Sequence, residues 1–209
     1  MIRLALYGFG GHGKVVADAA QEVGWKRISF YDDAIIQNTI EHGWEFAGAY
    51  QNLLEHTPTI SGLIVTIGSN ESRLKKMYEL QSVGLTIVNV IHPKSVVSRY
   101  VGIGMGSVIF AGAVVNVHTT IGDGVIINTG ATVDHDCFLD DGVHVSPGAH
   151  LAGNVHVGKH SWIGIGAVVK QGIVIGDDCI IGAGSVVLND VESGLTVVGV
   201  PAKPIMKIK

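Results

Sequence analysis

From Val97 onward an aliphatic residue stands at every sixth position without a break, from Val97, Ile103 and Ile109 through to Ile175, Ile181 and Val187. Four residues after each comes a second series, small or β-branched throughout. It runs from Val101, Ser107 and Ala113 to Cys179, Ser185 and Val191, and includes Cys137. A strict period of six with one aliphatic and one small residue per unit predicts a parallel β-helix of hexapeptides. Three units make one coil of a triangular prism, and both series face its axis. Residues eighteen apart then stack on neighbouring coils, separated by about one inter-strand spacing of ~4.8 Å. Sixteen units give five coils and a third, with no insertion to project a loop. The second-position glycines Gly104, Gly122, Gly158, Gly164, Gly176 and Gly182 are expected to serve turns of positive φ. Cys137 and Cys179 fall in the inward series and read as inert core thiols.

Residues 1–90 carry a different texture. Ile2 to Tyr7 is a short apolar strand, and Val15, Val16, Ala19, Ala20 and Val23 follow at helical spacing, with Gly24 as the stop. Arg27 to Tyr31 and Gly62 to Ile67 read as further strands. A helix over 71–82 and a short strand at Leu85 to Val88 complete the alternation. Residues 33 to 49 read as a loop. Alternating strands and helices predict a parallel sheet with helices packed on it. The chain therefore divides into a Rossmann-like α/β domain, 1–90, and a β-helix domain, 91–209. Gly8-x-Gly10-x-x-Gly13 follows a strand and opens a helix, with Asp32 further on, which is a dinucleotide fingerprint. Its physics, phosphate held at a helix N-terminus, serves any nucleoside diphosphate.

Composition narrows the field. Apolar residues make up 47% of the 209, enough for a core and against disorder. Charged residues are 15%, and the net charge is −4, which argues against a nucleic-acid surface or a polybasic membrane patch. No apolar run approaches the ~18 residues of a membrane span. No signal peptide is visible, and two distant cysteines exclude a disulfide scaffold. The expectation is a cytoplasmic protein with reduced thiols.

The repeat resembles that of the left-handed β-helix acyltransferases. The whole chain is similar to their nucleotide-sugar and sialic-acid acetyltransferase branch. The stretches that carry the likeness are Tyr7-Gly8-Phe9-Gly10-Gly11-His12-Gly13, Phe30-Tyr31-Asp32-Asp33 and Ile67-Gly68-Ser69-Asn70. They continue through Asn89-Val90-Ile91-His92-Pro93, Asn128-Thr129-Gly130, Asp134-His135-Asp136-Cys137, His144-Val145-Ser146-Pro147-Gly148-Ala149 and Gly199-Val200-Pro201-Ala202-Lys203. The resemblance implies a sugar nucleotide on the N-terminal domain, acetyl-CoA on the β-helix and a role in bacterial glycan biosynthesis. It assigns the nucleotide sugar, a UDP-amino sugar, to Gly10, Gly11, His12, Asp32, Asp33 and Gly68, and acetyl-CoA to His144, Ile165 and Ala183. It makes His135 the general base and Asp136 the carboxylate that raises its basicity. The amino-sugar enzymes carry Glu at that second position, and Asp is one methylene shorter. Acetyl-CoA is the cosubstrate, and no metal is implied.

The residues support this chemistry independently. Acetyl transfer to an amine or hydroxyl needs a base, and near neutral pH histidine is the natural one. His135 stands between Asp134 and Asp136, and a neighbouring carboxylate raises imidazole basicity. Eighteen residues separate His118 from Asp136, so His118 is a candidate to share that carboxylate; by the same count His144 lies against Trp162. Two acceptors remain open: the amine of a UDP-linked 4-amino-4,6-dideoxy sugar, or a sugar hydroxyl of the sialic-acid type. A zinc enzyme on the same prism would need three converging histidines. His144, His150 and His156 are spaced by six and point apart. Outward Val108, Val114, Ile126, Val168, Val174, Ile180 and Val186 make exposed aliphatic rows that suggest a homotrimer, and the resemblance puts acetyl-CoA and His135 at its subunit interface.

Overall fold

The computed structural model describes residues 2–34, 40–41 and 43–205. The chain divides into two compact units, Met1–His92 and Pro93–Lys209. In the first, β1 (Arg3–Tyr7) is central, with β2 (Arg27–Tyr31) parallel on one side and β5 (Gly62–Val65) parallel on the other. Beyond β2 come β4 (Trp44–Phe46), parallel to it, and β3 (Ile40–Glu41), antiparallel to β4. Of the segment read as a loop, residues 35–39 and 42 lie outside the described residues, and the rest contributes β3, β4 and the N-cap residue Ala49 of α2 (Tyr50–His56). Leu85 to Val88 forms an isolated bridge from Ile87 to Leu63 in place of the expected strand.

Helix α1 (Gly11–Glu22) buries Gly13, Val16, Ala17 and Ala20, spaced three and four apart so that one stripe faces the sheet. Val15 and Val23, grouped with that stripe in the sequence, face solvent instead. Gly24 at φ +105° ends the helix, and the Trp25 N–H reaches back to the Ala20 carbonyl at 3.0 Å. Helix α3 (Asn70–Ser82) starts at Ser69, whose side chain caps the Ser72 N–H.

The second unit is the predicted prism. A first sheet stacks Val96–Val97, Val114–Val115, Thr132–Val133, His150–Leu151, Val168–Val169 and Val186–Val187 in parallel. A second stacks Gly102–Ile103 through Val174–Ile175, and a third runs from Val108–Ile109 through Ile180–Ile181 to Thr196–Val198. Every neighbouring pair of strands up to Val187 is in register at a spacing of eighteen. The aliphatic series is buried from Ile109 to Val187 and the small series from Ser107 to Val191. Cys137 and Cys179 are free and buried, and burial raises both thiols above their ordinary pKa, as inert core residues require.

The second-position glycines do not take positive φ. That conformation falls two residues later in each unit, from Gly106 to Gly184. The second-position glycines are set by space instead. A Cβ on Gly122 would lie 2.7 Å from Asp141 Oδ1, and one on Gly164 would lie 2.5 Å from the Ile181 carbonyl oxygen of the next coil. Of the seven outward aliphatics, Val168, Val174 and Ile180 are exposed and Val114 and Val186 half-buried. Val108 and Ile126 are buried within the single chain, so they offer no apolar surface to a partner.

Candidate active site

In the first unit the order β2-β1-β5 puts the turn after β1 between the ends of β2 and β5, the switch point of a parallel sheet. Gly8-Phe9-Gly10 leads there into the N-terminus of α1, with Asp32 and Asp33 arriving from β2 and Gly68 from the segment after β5. The structure thus brings the six predicted nucleotide residues to one end of the sheet. A Cβ on Gly13 would strike the Gly8 carbonyl oxygen, so the helix seats directly on the turn. Gly10, Gly11 and Gly68 have nothing within 4 Å of where a Cβ would be, so the space beside them is open.

Asp32 is a turn organiser. Its Oδ2 accepts from the Phe9 N–H at 2.8 Å and its Oδ1 from the Ala34 N–H at 2.9 Å. Asp33 accepts from the Tyr7 hydroxyl and, at 2.8 Å, from the Tyr50 N–H. The Tyr7 hydrogen bond holds the Asp33 carboxyl below its usual pKa, while burial and that same carboxylate push Tyr7 up. His12 is held neutral: burial, and then the Arg73 charge, lower it to about 4. Arg73 is itself buried; it donates to the Ile67 carbonyl at 3.3 Å and to Asn70 Oδ1 at 3.0 Å, which fixes the segment bearing Gly68. Sequence reading missed Tyr7, whose partner Asp33 follows the neighbouring strand, and Arg73, a charged residue buried on α3.

On the prism, each edge is a column of four-residue turns. The turn Asp134–Cys137 joins the first sheet to the second. His135 is exposed, and its Nδ1 lies 2.7 Å from Asp136 Oδ2. The shorter carboxylate therefore reaches the imidazole, and that hydrogen bond raises the His135 pKa above the usual histidine value. With Nδ1–H donated to Asp136, Nε2 is the nitrogen able to take a proton. Asp134 accepts from the His135 N–H at 2.8 Å and from Asn116 Nδ2 at 2.7 Å, and the Asn116 contact leads in lowering its pKa. Beneath the ring lies Gly153, where a Cβ would sit 2.6 Å from His135 Cε1 and Nε2. Asn116 and Gly153 stand eighteen before Asp134 and eighteen after His135, so the coil period could have found both. The expected sharing of Asp136 with His118 is not seen. Among the described residues no hydrogen bond joins them, and the His118 ring stacks on Tyr100 instead.

The predicted acetyl-CoA residues lie elsewhere, where the third sheet turns into the first. His144, Ser146, Trp162, Ile165, Ile180 and Ala183 line an apolar groove of about 530 Å³. The His144 and Trp162 rings stack at 4.8 Å between centroids. Trp162 Nε1 donates to Ser146 at 2.6 Å, and Asn128 Nδ2 lies 3.2 Å from His144 Nε2. The structure therefore unites His144, Ile165 and Ala183 but leaves the His135–Asp136 pair on another edge of the same prism. His144, His150 and His156 lie on the third, first and second sheets, three different faces. No described helix is long and apolar enough to cross a membrane.

Comparison with known proteins agrees with this architecture. The family described as PglD N-terminal domain matches residues 3–80, and bacterial transferase hexapeptide repeats match residues 154–189. The acetyltransferase domain of PglB from Neisseria gonorrhoeae, solved with acetyl coenzyme A, is 43% identical with a TM-score of 0.93, covering 97% of this chain and 98% of that one. A histidine-to-alanine variant of GDP-perosamine N-acetyltransferase from Caulobacter crescentus, solved with CoA and GDP-perosamine, is 37% identical with a TM-score of 0.93, covering 98% and 97%. WeeI from Acinetobacter baumannii is 29% identical with a TM-score of 0.91, covering 98% and 100%.

Proposed function

Because the chain belongs to the left-handed β-helix family of acetyl-CoA-dependent sugar N-acetyltransferases, we propose that it acetylates the amine of a UDP-linked 4-amino-4,6-dideoxy sugar. The observation that carries the reading is the exposed His135–Asp136 pair, joined at 2.7 Å. The neutral amine attacks the thioester carbonyl, forming the C–N bond. His135 Nε2 takes the proton that the nitrogen sheds, and Asp136 stabilises the imidazolium through Nδ1. The tetrahedral intermediate collapses with breakage of the C–S bond, and the departing thiolate receives the proton from His135. The acetyl-CoA arm lies in the groove of His144, Trp162, Ile165 and Ala183. The first unit holds the nucleotide, its diphosphate at the open glycines before α1.

Base and groove belong to different edges of one prism, so one chain alone does not surround one acetyl group. A homotrimer, in which the base edge of one copy meets the groove edge of the next, supplies both. Exposed Val168, Val174 and Ile180 are consistent with burial between copies. The Caulobacter relative, solved with GDP-perosamine, favours a second reading in which the nucleotide is GDP. Thiol release from acetyl-CoA, measured with UDP- and GDP-linked amino sugars and with free sialic acid, tests both. Turnover confined to UDP-amino sugars is expected. Turnover with the GDP sugars alone selects the second reading, and turnover with sialic acid alone contradicts N-acetylation.

A further inference from the structure

The turn that bears His135 is closed differently from every turn of the groove edge. There the N–H of the last residue reaches the carbonyl of the first, from Ala113 on Phe110 to Ser185 on Gly182, at 3.0–3.3 Å. In the turn Asp134–Cys137 the same two groups meet through a side chain of the preceding coil. Thr119 Oγ1 donates to the Asp134 carbonyl at 2.7 Å and accepts from the Cys137 N–H at 3.3 Å. Thr119 is 1% exposed, so its hydroxyl has these protein partners rather than bulk water. The inward column of this edge reads Val101, Thr119, Cys137, Val155 and Ile173, and Thr119 is its one hydroxyl. The core therefore accepts an aliphatic residue at this place, and the hydroxyl serves the turn instead. Two more ties come from the same preceding turn: Asn116 Nδ2 holds Asp134 Oδ1 at 2.7 Å, and the Val117 carbonyl accepts from the Asp136 N–H at 3.1 Å.

We propose that Thr119 is a positioning residue for the base, spacing the turn so that the His135 imidazole meets the proton shed by the amine. The proposal deepens the acetyltransferase reading above and rests on it. His135 and Asp136 lie between the two groups that the hydroxyl bridges. Without it the buried Cys137 N–H needs another acceptor, and the Asp134 carbonyl is the one the groove turns use. Closing the turn that way moves the backbone that carries the imidazole. Misplacing a reacting group by about an ångström costs up to ~10²-fold. The bridge is a general turn-fixing device, since the edge between the second and third sheets uses it where no base stands. Ser161 Oγ donates there to the Gly176 carbonyl at 2.7 Å and accepts from the Cys179 N–H at 2.9 Å. What distinguishes Thr119 is the turn it fixes.

The test compares the two bridges. Thr119→Val removes the hydroxyl and keeps the shape, with Val101 and Val155 filling the same place on other coils. Thr119→Ala is a smaller second variant, Thr119→Ser keeps the hydroxyl, and Ser161→Ala removes the matching bridge from the other edge. Thiol release from acetyl-CoA is followed with the nucleotide-amino sugar that the unaltered protein turns over, each substrate varied in turn. In Thr119→Val and Thr119→Ala, kcat should fall about tenfold while the KM for each substrate holds. Thr119→Ser should keep near-wild-type kcat, and so should Ser161→Ala even where its Tm falls. Wild-type kcat in folded Thr119→Val, or an equal kcat loss in Ser161→Ala, overturns the positioning role and leaves the acetyltransferase reading standing. An unaltered protein that turns over no nucleotide-amino sugar overturns that reading, and the positioning role with it.

Discussion

The groove edge and the base edge of the prism are built from the same hexapeptide and meet one shared demand differently. From residue 106 to residue 184 each turn holds a left-handed residue at its fourth position. On the groove edge that residue is Gly112, Gly130, Gly148, Gly166 and Gly184, while on the base edge His118, Asp136 and Asn154 accept the same conformation with φ of 58–62° before Gly172 takes it at 72°. Bare backbone lets a ligand approach the main chain closely. Side chains held in left-handed turns project from the coil, and one of them, Asp136, hydrogen-bonds the His135 imidazole. A repeat can thus be uniform in its core and divided in its chemistry, because the turns vary without disturbing the two inward series.

The comparison breaks most sharply at His135. His135→Ala should lower kcat by about 10²–10⁴-fold, the usual effect of losing a general base, with both ligands still bound in equilibrium binding measurements. For an amine acceptor the defect should shrink as pH rises, since more of the amine is neutral and attacks unaided. A hydroxyl acceptor would show no such recovery.

Gly153→Ala follows. The added methyl would lie 2.6 Å from the ring atoms, so the imidazole must swing off its seat. Misplacing a reacting group by about an ångström costs up to ~10²-fold. The prediction is a kcat loss of roughly 10- to 100-fold with unchanged KM for acetyl-CoA, read by steady-state kinetics.

Asp136→Asn should cost less in plateau rate and should move the pH profile. A base works while neutral, and the Asp136 hydrogen bond raises the His135 pKa, so under the proposed mechanism activity should fall as pH drops through that raised value. Removing the carboxylate lets the pKa return toward the ordinary histidine value. The acid limb of kcat then shifts to lower pH. A limb that stays in place would show that Asp136 does not set it.

The smallest effect belongs to the groove. Gly166 sits at φ +64° with open space where a Cβ would be, so Gly166→Ala meets strain without a clash. Thermal unfolding should show a loss of about 1 kcal/mol. The KM for acetyl-CoA should rise while that for the sugar nucleotide holds.

The prism was legible to the residue, because a period of six over sixteen units leaves no freedom of register. His135, Asp136 and the His144–Trp162 stack followed from motif and period together. The six second-position glycines were misread because spacing cannot distinguish a positive φ from a close approach of the next coil. Strand β4 and the Tyr7–Asp33 bond escaped the reading for a different reason. In the α/β unit, contacts join residues far apart in the chain with no repeat to index them, as Tyr7 and Asp33 are joined across neighbouring strands.

The central claim is that base and groove act together only across two copies of the chain. Co-expression of His135→Ala with Ile165→Asp, a groove variant at a residue 62% exposed, tests it directly. Each variant alone should be nearly inactive. Random mixing in a three-fold ring pairs an intact base with an intact groove at about a quarter of the sites, so roughly that fraction of wild-type activity should return. Mixed assemblies as inactive as either variant alone would place base and groove of each site on one chain and contradict the account.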